Sequence, residues 1–129
     1  MSMFSAIGIA QSGIGTYKAW VDATADNIAN ANNKTRTSEN AFQARRLIVE
    51  SAPGGGVRIQ QAAFGNPDGQ LVSDPNNPLA DEQGMVRVPD VNMSDEMTSL
   101  IIAQRAYQAN VTAFERARDG YLRELEIGK

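Results

Sequence analysis

Residues 7–28, IGIAQSGIGTYKAWVDATADNI, decide the fold of this chain because their side chains repeat at helical spacing. Two sets of residues alternate at spacings of four and three over about four heptads, the pattern of helices that pack along their length. The first set is Ile7, Ile14, Val21 and Ile28, and the second is Met3, Ala10, Tyr17, Thr24 and Ala31. We therefore predict a long helix from about Ser2 to Asn30.

A second long helix is predicted to begin at Asn92, where Asp95 three residues on completes an approximate capping box. It has a bulky seam and a parallel stripe of small residues. The seam is Met93, Met97, Leu100, Gln104, Tyr107, Val111, Phe114, Arg118, Tyr121 and Leu125, and the stripe is Ala103, Ala106, Asn110, Ala113 and Ala117. An ordinary helical bundle would explain such faces, but this chain has two long helices and cannot cover both faces by itself.

The middle of the chain contains all five prolines and is rich in glycine. Residues 46–49 and 57–59 favour strands and flank Pro53-Gly54-Gly55-Gly56, which predicts a hairpin. Residues 85–88 alternate like a short strand. The stretch between them, GNPDGQLVSDPNNPLADEQG (65–84), consists of turn residues, and we expect it to be a loop.

These patterns predict a mainly α fold whose N- and C-terminal helices pair as an antiparallel coiled coil. The middle is a small irregular segment that contains a β-hairpin. The expected segments are residues 1–34, 35–91 and 92–129. In the antiparallel pair we expect Phe4 to lie near Tyr121 or Leu125 and Ile28 to lie near Met97.

Composition excludes several classes of function. The chain has no cysteine and no histidine, which removes disulfides, thiolate or imidazole metal sites and the commonest general base. The formal net charge of -3 does not favour nucleic-acid binding or attraction to a membrane surface. The N-terminus lacks the basic region of a secretory signal, and no stretch is long and apolar enough for a membrane span. A route out of the cytoplasm would therefore be one that uses no cleaved peptide.

The carboxylate pairs Asp81-Glu82 and Asp95-Glu96 are the candidates for an enzymatic site. The first pair lies among turn residues and the second at a helix start, where acids stabilise the helix dipole. No nucleophile and base are visible together in the sequence. We therefore predict that the chain is not an enzyme and uses no cofactor or metal.

Charges are scarce on the first helix and on the first half of the second helix. Residues 1–33 carry Lys18, Asp22 and Asp26, and residues 97–114 carry Arg105 alone. A helix that faces water usually carries charge on that face, so these segments are expected to be covered. Arg105 is expected to meet an acid, either Asp22 or Asp26 or one from a neighbouring subunit. A free coiled-coil adaptor or chaperone, the alternative, would need charged outer faces.

The stretch DNIANANN (26–33) ends the first helix with four asparagines. Asn32 or Asn33 is expected to terminate the helix in a left-handed conformation. Asn27 and Asn30 lie too early for that role. Buried amides need hydrogen-bond partners and can fix the register of a helical seam, so we expect Asn27, Asn30, Gln104 and Asn110 at such contacts.

The predicted assembly and helix-packing residues are drawn from both helices. They are Ile7, Ile14, Val21, Asn27, Ile28, Asn30, Leu100, Gln104, Arg105, Tyr107, Asn110, Val111, Phe114 and Tyr121. The first helix is also weak by itself, because Gly8, Gly13 and Gly15 each cost on the order of 1 kcal/mol relative to alanine. We expect it to fold when partners cover it.

Three stretches resemble bacterial flagellar axial proteins, the rod, hook and hook-associated proteins. They are SGIGTYKAWVDATADNIANANNKT (12–35), the run from Asp74 to Pro89, and EMTSLIIAQRAYQANVTAFERARDGYLRELEIGK (96–129). The middle run and the short length are similar to those of the proximal rod members. Asp26 and Asn33 depart from the usual residues of the first motif without interrupting its spacing.

The resemblance implies a structural subunit of the basal-body rod, with paired terminal helices packed into a tube and an outward-facing middle segment. Implied partners are other rod proteins, the protein at the junction of rod base and export gate, further copies of the chain, and the flagellar type III export apparatus. The implied location is the periplasm-spanning rod, reached by export without a cleaved signal peptide. The rod transmits torque and encloses the export channel.

Overall fold

The computed structural model describes residues 2–128, which form two long helices joined by two short hairpins. The elements are α1 (Met3–Asn30), β1 (Arg45–Ser51), β2 (Val57–Phe64), β3 (Gln70–Ser73), β4 (Met85–Val88) and α2 (Met93–Ile127). The prediction of a mainly α chain with a small β-containing middle is confirmed.

Helix α1 begins where the side chain of Ser2 accepts a hydrogen bond from the backbone N–H of Ser5 at 3.2 Å. Its end differs from the prediction. Among the described residues, positive φ angles occur at glycines only, so neither Asn32 nor Asn33 is left-handed. Ala31 stays right-handed and donates to the carbonyl of Ile28, and the N–H of Asn33 donates to the carbonyl of Asn30. These right-handed turns satisfy the end of the helix without a reversal of the backbone.

Helix α2 begins as predicted. The side-chain oxygen of Asn92 accepts hydrogen bonds from the backbone N–H groups of Ser94 and Asp95 at 3.0 and 3.3 Å. Asp95 and Glu96 lie in the first turn, where negative charge stabilises the positive end of the helix dipole.

Contacts between the two helices run in opposite chain directions. The rings of Phe4 and Tyr121 meet edge to face with centroids 5.8 Å apart, which confirms the predicted contact between them. Near the other end of α1, the indole N–H of Trp20 donates to the hydroxyl of Ser99 at 2.9 Å. The proximity of Ile28 and Met97 stays a prediction.

Small residues bring the helices close together. Ala10 and Ala23 of α1 and Ala103 of α2 are buried, and Ala103 has no exposed surface. A Cβ atom on Gly13 would overlap the side-chain amide of Asn110. The small-residue stripe of α2 therefore faces α1.

The hairpin of β1 and β2 lies along α1. The antiparallel register runs from Arg45 opposite Phe64 to Ser51 opposite Val57, with an irregularity between Ile48 and Val49. At the turn end, the N–H of Val57 donates to the hydroxyl of Ser12 at 3.1 Å. The predicted hairpin is confirmed and is longer than the sequence indicated.

The prediction that residues 65–84 form only a loop is wrong. Residues 70–73 form β3 and pair antiparallel with β4, from Gln70 opposite Val88 to Ser73 opposite Met85. Four residues are too few for a periodic signal, and their pairing depends on β4 and on the turn that joins them. Val86 in the predicted strand β4 is fully buried, and Ala41 and Pro89 are buried as well.

Candidate assembly surface

The predicted assembly residues divide into three groups by burial. Asn27 is buried, with 2% of its surface exposed, whereas Gln104 and Arg105 are exposed. The remaining members are half-buried: Ile7, Ile14, Val21, Ile28, Asn30, Leu100, Tyr107, Asn110, Val111, Phe114 and Tyr121. Most of these side chains thus present part of their surface to the outside of the helix pair.

Asn27 connects three elements. Its amide nitrogen donates to the carbonyl of Arg45 at 2.9 Å and to Oε2 of Glu96 at 3.1 Å. Its side-chain oxygen accepts from the N–H of Arg45 at 2.8 Å. The asparagine amide therefore pairs with the backbone of β1 as another strand would, and it also holds the first turn of α2. The nitrogen and the oxygen of the Asn27 amide are both hydrogen-bonded, which explains why a mediocre helix former occurs inside α1.

Asn30 and Asn110 make hydrogen bonds within their own helices or just beyond the helix end. Asn30 donates to the carbonyl of Asp26 and accepts from the amide of Asn33, each at 2.8 Å. Asn110 donates to the carbonyl of Ala106 at 2.8 Å, and its side chain lies against Gly13 of α1. Asn110 is thus at a helix–helix contact, whereas the hydrogen bonds of Asn30 complete the end of α1.

The expected intrachain partner of Arg105 is absent from the described residues. Asp22 pairs with Lys18 at 3.1 Å, and Asp26 pairs with Arg45 at 2.9 Å. Arg105 is exposed and has no ion pair or hydrogen bond within residues 2–128. The prediction of an acid on α1 of the same chain is therefore wrong. The physical reason is that Arg105 lies on the outer side of α2, away from the stripe that faces α1.

Sequence reasoning missed some of the buried positions of α1. Gly13, Thr16 and Ala23 are buried, although none of them belongs to either set of repeating residues in α1. Hydrophobic periodicity detects large apolar side chains, whereas a close contact between helices selects small ones. The glycine and alanine content of both helices was the available signal.

Large apolar side chains are exposed on α2, in the half that lacks charge. Met97, Ile101 and Ile102 are 54%, 51% and 53% exposed. Ile101 and Ile102 lie outside both predicted stripes. A group of exposed apolar side chains on one helix is typical of a surface that contacts another protein.

Two of the carboxylates considered for catalysis, Asp81 and Glu96, have structural roles. The backbone N–H of Met85 and, less strongly, the side chain of Thr37 and the N–H of Gln83 hold the pKa of Asp81 below its ordinary value. Glu96 accepts from Asn27. Within residues 2–128, no group of three or more His, Cys, Asp or Glu side chains is placed to hold a metal ion. Neither helix in that range is long and apolar enough to cross a membrane.

An ion pair ties the segment after α1 to the turn between β3 and β4. The ammonium group of Lys34 lies 2.8 Å from Oδ2 of Asp74, and the amide of Asn77 donates to the same oxygen at 3.0 Å. The hydrogen bond from Lys34, followed by that from Asn77, lowers the pKa of Asp74. Thr35 continues the connection by exchanging backbone hydrogen bonds with Arg87 of β4.

Comparison with known proteins places this arrangement in a class. Residues 82–121 match the family model described as the flagellar basal body rod FlgEFG protein C-terminal. Over the whole of both chains, the sequence is 34% identical to the flagellar basal-body rod protein FlgC of Yersinia enterocolitica and 31% identical to that of Salmonella typhimurium. The FlgC protein of Bacillus subtilis is 25% identical, again over both full lengths.

The class is therefore that of the flagellar basal-body rod proteins. Within it, the chain belongs to the FlgC family, in agreement with the resemblance of its terminal motifs. It is a structural component of the flagellar basal body. The helix pair and its exposed, sparsely charged faces are thus the features of a subunit that assembles with other rod components.

Proposed function

We propose that the chain is a structural subunit of the proximal rod, part of the tube that transmits torque and encloses the export channel. The observation that carries the proposal is the full-length similarity to FlgC proteins, such as that of Yersinia enterocolitica at 34% identity. The exposed apolar residues of α2 support it independently, because Met97, Ile101 and Ile102 would be covered by neighbouring subunits in a tube.

In this proposal α1 and α2 form an antiparallel coiled coil. The edge-to-face contact of Phe4 with Tyr121 at one end and the hydrogen bond of Asn27 with Glu96 at the other support opposite helix directions. The heptad spacing of Ile7, Ile14 and the residues that follow supports packing along the full length. Residues 1–34 and 92–129 are the tube-forming segments.

Residues 35–91 face outward from the tube in this proposal. The β1–β2 hairpin covers one side of α1 through its contacts at Ser12 and Asn27. That side is unavailable to a neighbouring helix, which leaves the other sides of the pair for assembly.

Partners in this arrangement are other rod proteins, copies of the chain and the protein at the rod-base and export-gate junction. The chain passes through the flagellar type III export apparatus unfolded. The glycines of α1 support that step, because a helix of low intrinsic stability is easily kept unfolded before assembly. No catalytic role is proposed. The free adaptor or chaperone function is set aside, because Met97, Ile101 and Ile102 would be left in water.

Deletion of the gene in the bacterium that encodes the chain tests the function. Electron microscopy of isolated basal bodies is expected to show no rod beyond its base, and swimming is expected to stop. Expression of the intact chain in trans should restore both. Complete rods in the deletion strain would contradict the proposal.

A further inference from the structure

The two hairpins of the middle segment each leave one strand uncovered. Every residue of β3 is exposed, as is every residue of β2 except Val57. The stretch of β2 from Ile59 to Phe64 and the whole of β3 contain no charged residue and no proline. Charged side chains and prolines are the usual protection of an edge strand against pairing with another chain. These two strands lack that protection.

The outer edge of β2 offers backbone groups that its own chain does not use. The N–H of Gly65 donates across the hairpin at 2.8 Å, so Phe64 and Ala62 direct their backbone groups away from β1. Arg45, opposite Phe64, directs its groups the other way and binds the side-chain amide of Asn27 with both. The outer edge of β1 is therefore occupied at its start. The outward groups of Ala62 and Phe64 have no hydrogen-bond partner within residues 2–128.

The hairpin of β3 and β4 repeats this arrangement. The N–H of Asp74 donates across the hairpin at 2.9 Å, so Leu71 and Ser73 direct their backbone groups away from β4. Arg87, opposite Leu71, exchanges its backbone hydrogen bonds with Thr35 on the other side of β4. The outer edge of β3 has no such partner in the part of the chain that the structure describes.

We propose that β2 of one copy of the chain pairs antiparallel with β3 of a second copy. The inference rests on the proposed rod function and gives the middle segment a role in assembly. Unpaired N–H and C=O groups at a sheet edge are matched by the backbone of an added strand. Only one antiparallel register engages both outward residues of each strand. It places Phe64 opposite Leu71 and Ala62 opposite Ser73, with four hydrogen bonds between the copies.

This register also covers exposed apolar surface. Phe64 and Leu71 are 65% and 55% exposed, the highest values among the large apolar side chains described in the middle segment. Opposite residues of an antiparallel pair place their side chains on the same face, about 5 Å apart. Phe64 of one copy therefore lies beside Leu71 of the second copy, and each removes apolar surface of the other from water.

Charge and connectivity favour a second copy as the occupant. The β1–β2 hairpin (45–64) carries three arginines and one glutamate, whereas residues 66–90 carry five acids and one arginine. One ion pair to another segment offsets one charge on each, so the two hairpins keep opposite net charge. Within one chain the hairpins form separate sheets, and the N–H of Ala41 holds the linker between them at the carbonyl of Pro67.

The two edges differ from each other, so the contact between copies is heterologous. Each copy can then offer its β2 edge to one neighbour and its β3 edge to another. A heterologous contact builds rings or open helical assemblies rather than a closed two-fold dimer. A tubular rod needs contacts of this kind.

Cysteine cross-linking tests the pairing, because the chain has no natural cysteine. In the proposed register Ala63 lies opposite Val72 in a non-hydrogen-bonded pair with Cα atoms about 4.5 Å apart, within the span of a disulfide. An Ala63→Cys copy and a Val72→Cys copy are expressed together in the encoding bacterium, and the isolated basal bodies are oxidised. Each copy has one cysteine, so any disulfide joins two chains. We expect a dimer that contains one copy of each variant, identified by peptide mass.

Ala62→Cys expressed with Val72→Cys is the matched control, since a shift of one residue places the two sulfur atoms on opposite faces of the sheet. We expect roughly tenfold less dimer from this pair. Assembled basal bodies without the mixed dimer, equal dimer in the control, or a dimer of two Ala63→Cys copies would overturn the proposal and leave the rod function intact. The deletion strain tests the rod function separately.

Charge substitution at the facing pair gives a second readout. Phe64→Lys with Leu71→Lys puts like charges opposite each other between copies, and Phe64→Lys with Leu71→Glu puts unlike charges there. We expect the yield of basal bodies from the lysine–glutamate variant to be higher by roughly threefold or more. The same comparison at Val72 instead of Leu71 is the control, because Val72 lies on the other face, and equal yields are expected there. Equal yields of the two Leu71 variants would overturn the proposal.

Discussion

Replacement of Asn27 by alanine perturbs the residue that connects α1, β1 and α2. The change removes two hydrogen bonds to the backbone of Arg45 and one to Glu96. Water cannot readily replace them, because Asn27 is 2% exposed. The three lost bonds contribute about 1 kcal/mol each. Because alanine is the better helix former, it offsets roughly 0.5 kcal/mol of this loss.

The expected net effect is a loss of about 2–3 kcal/mol in the free energy that holds β1 on the helices, or roughly 30- to 150-fold in the opening equilibrium. Hydrogen exchange of a peptide spanning residues 45–51, measured by mass spectrometry on isolated basal bodies, reports this equilibrium directly. Exchange of the Asn27→Ala variant should be faster by that factor. If the variant does not assemble, its swimming is compared instead.

Asn30→Ala is the matched control, since it makes the same chemical change one turn further along the same motif. The hydrogen bonds of Asn30 remain within the end of α1 and are exposed. We expect an effect below about 0.5 kcal/mol and normal swimming. Equal effects of the two variants, or unchanged exchange in Asn27→Ala, would refute the assignment of Asn27 as the connecting residue.

Three further predictions concern the helix pair and the middle segment. Gly13→Ala should reduce rod yield although alanine has the higher helix propensity, because the overlap of its Cβ atom with Asn110 destabilises the helix pair by about 1–3 kcal/mol. Adding Asn110→Ala should restore the yield. A Gly13→Ala variant with normal rod yield would argue against the close contact. In the dilute purified subunit, amides of residues 2–30 and 92–127 should exchange within seconds because the uncovered helices are unstable alone; slow exchange in a demonstrated monomer would mean that they are self-sufficient. The carboxyl of Asp81 should titrate by NMR below the ordinary value of about 3.9. Because its folded pKa is lowered, its stabilising effect is present above the ordinary pKa and is lost as the pH falls through the folded pKa; a midpoint at or above the ordinary value would contradict its hydrogen bonds to Gln83 and Met85.

Long-range patterns in the sequence predicted the large elements well. The heptad positions of α1 and the cap at Asn92 define both helices, because such signals extend over many residues or are local and chemically specific. The hairpin around Pro53 and the glycines that follow it was predicted because turn residues are a local and chemically specific signal. The short strand β3 was not, because its four residues acquire their conformation from β4.

The candidate surface was predicted less completely. Asn27 was identified because a buried amide must find partners, but its pairing with the backbone of Arg45 depends on where β1 lies in space. The burial of Gly13 and Ala23 was missed because close helix packing selects residues that carry little hydrophobic signal. Arg105 was expected to meet an acid of α1 or of a neighbouring subunit, and a single charge in the sequence cannot tell an inner helix face from an outer one.

The central claim is that the chain is a rod subunit whose uncharged helix faces are covered by neighbours. Electron cryomicroscopy of basal bodies isolated from the encoding bacterium tests it most directly. We predict density for the α1–α2 pair in the wall of the proximal rod, with Met97, Ile101 and Ile102 buried against an adjacent subunit. A rod that lacks this chain, or one in which those three side chains face solvent, would contradict the account.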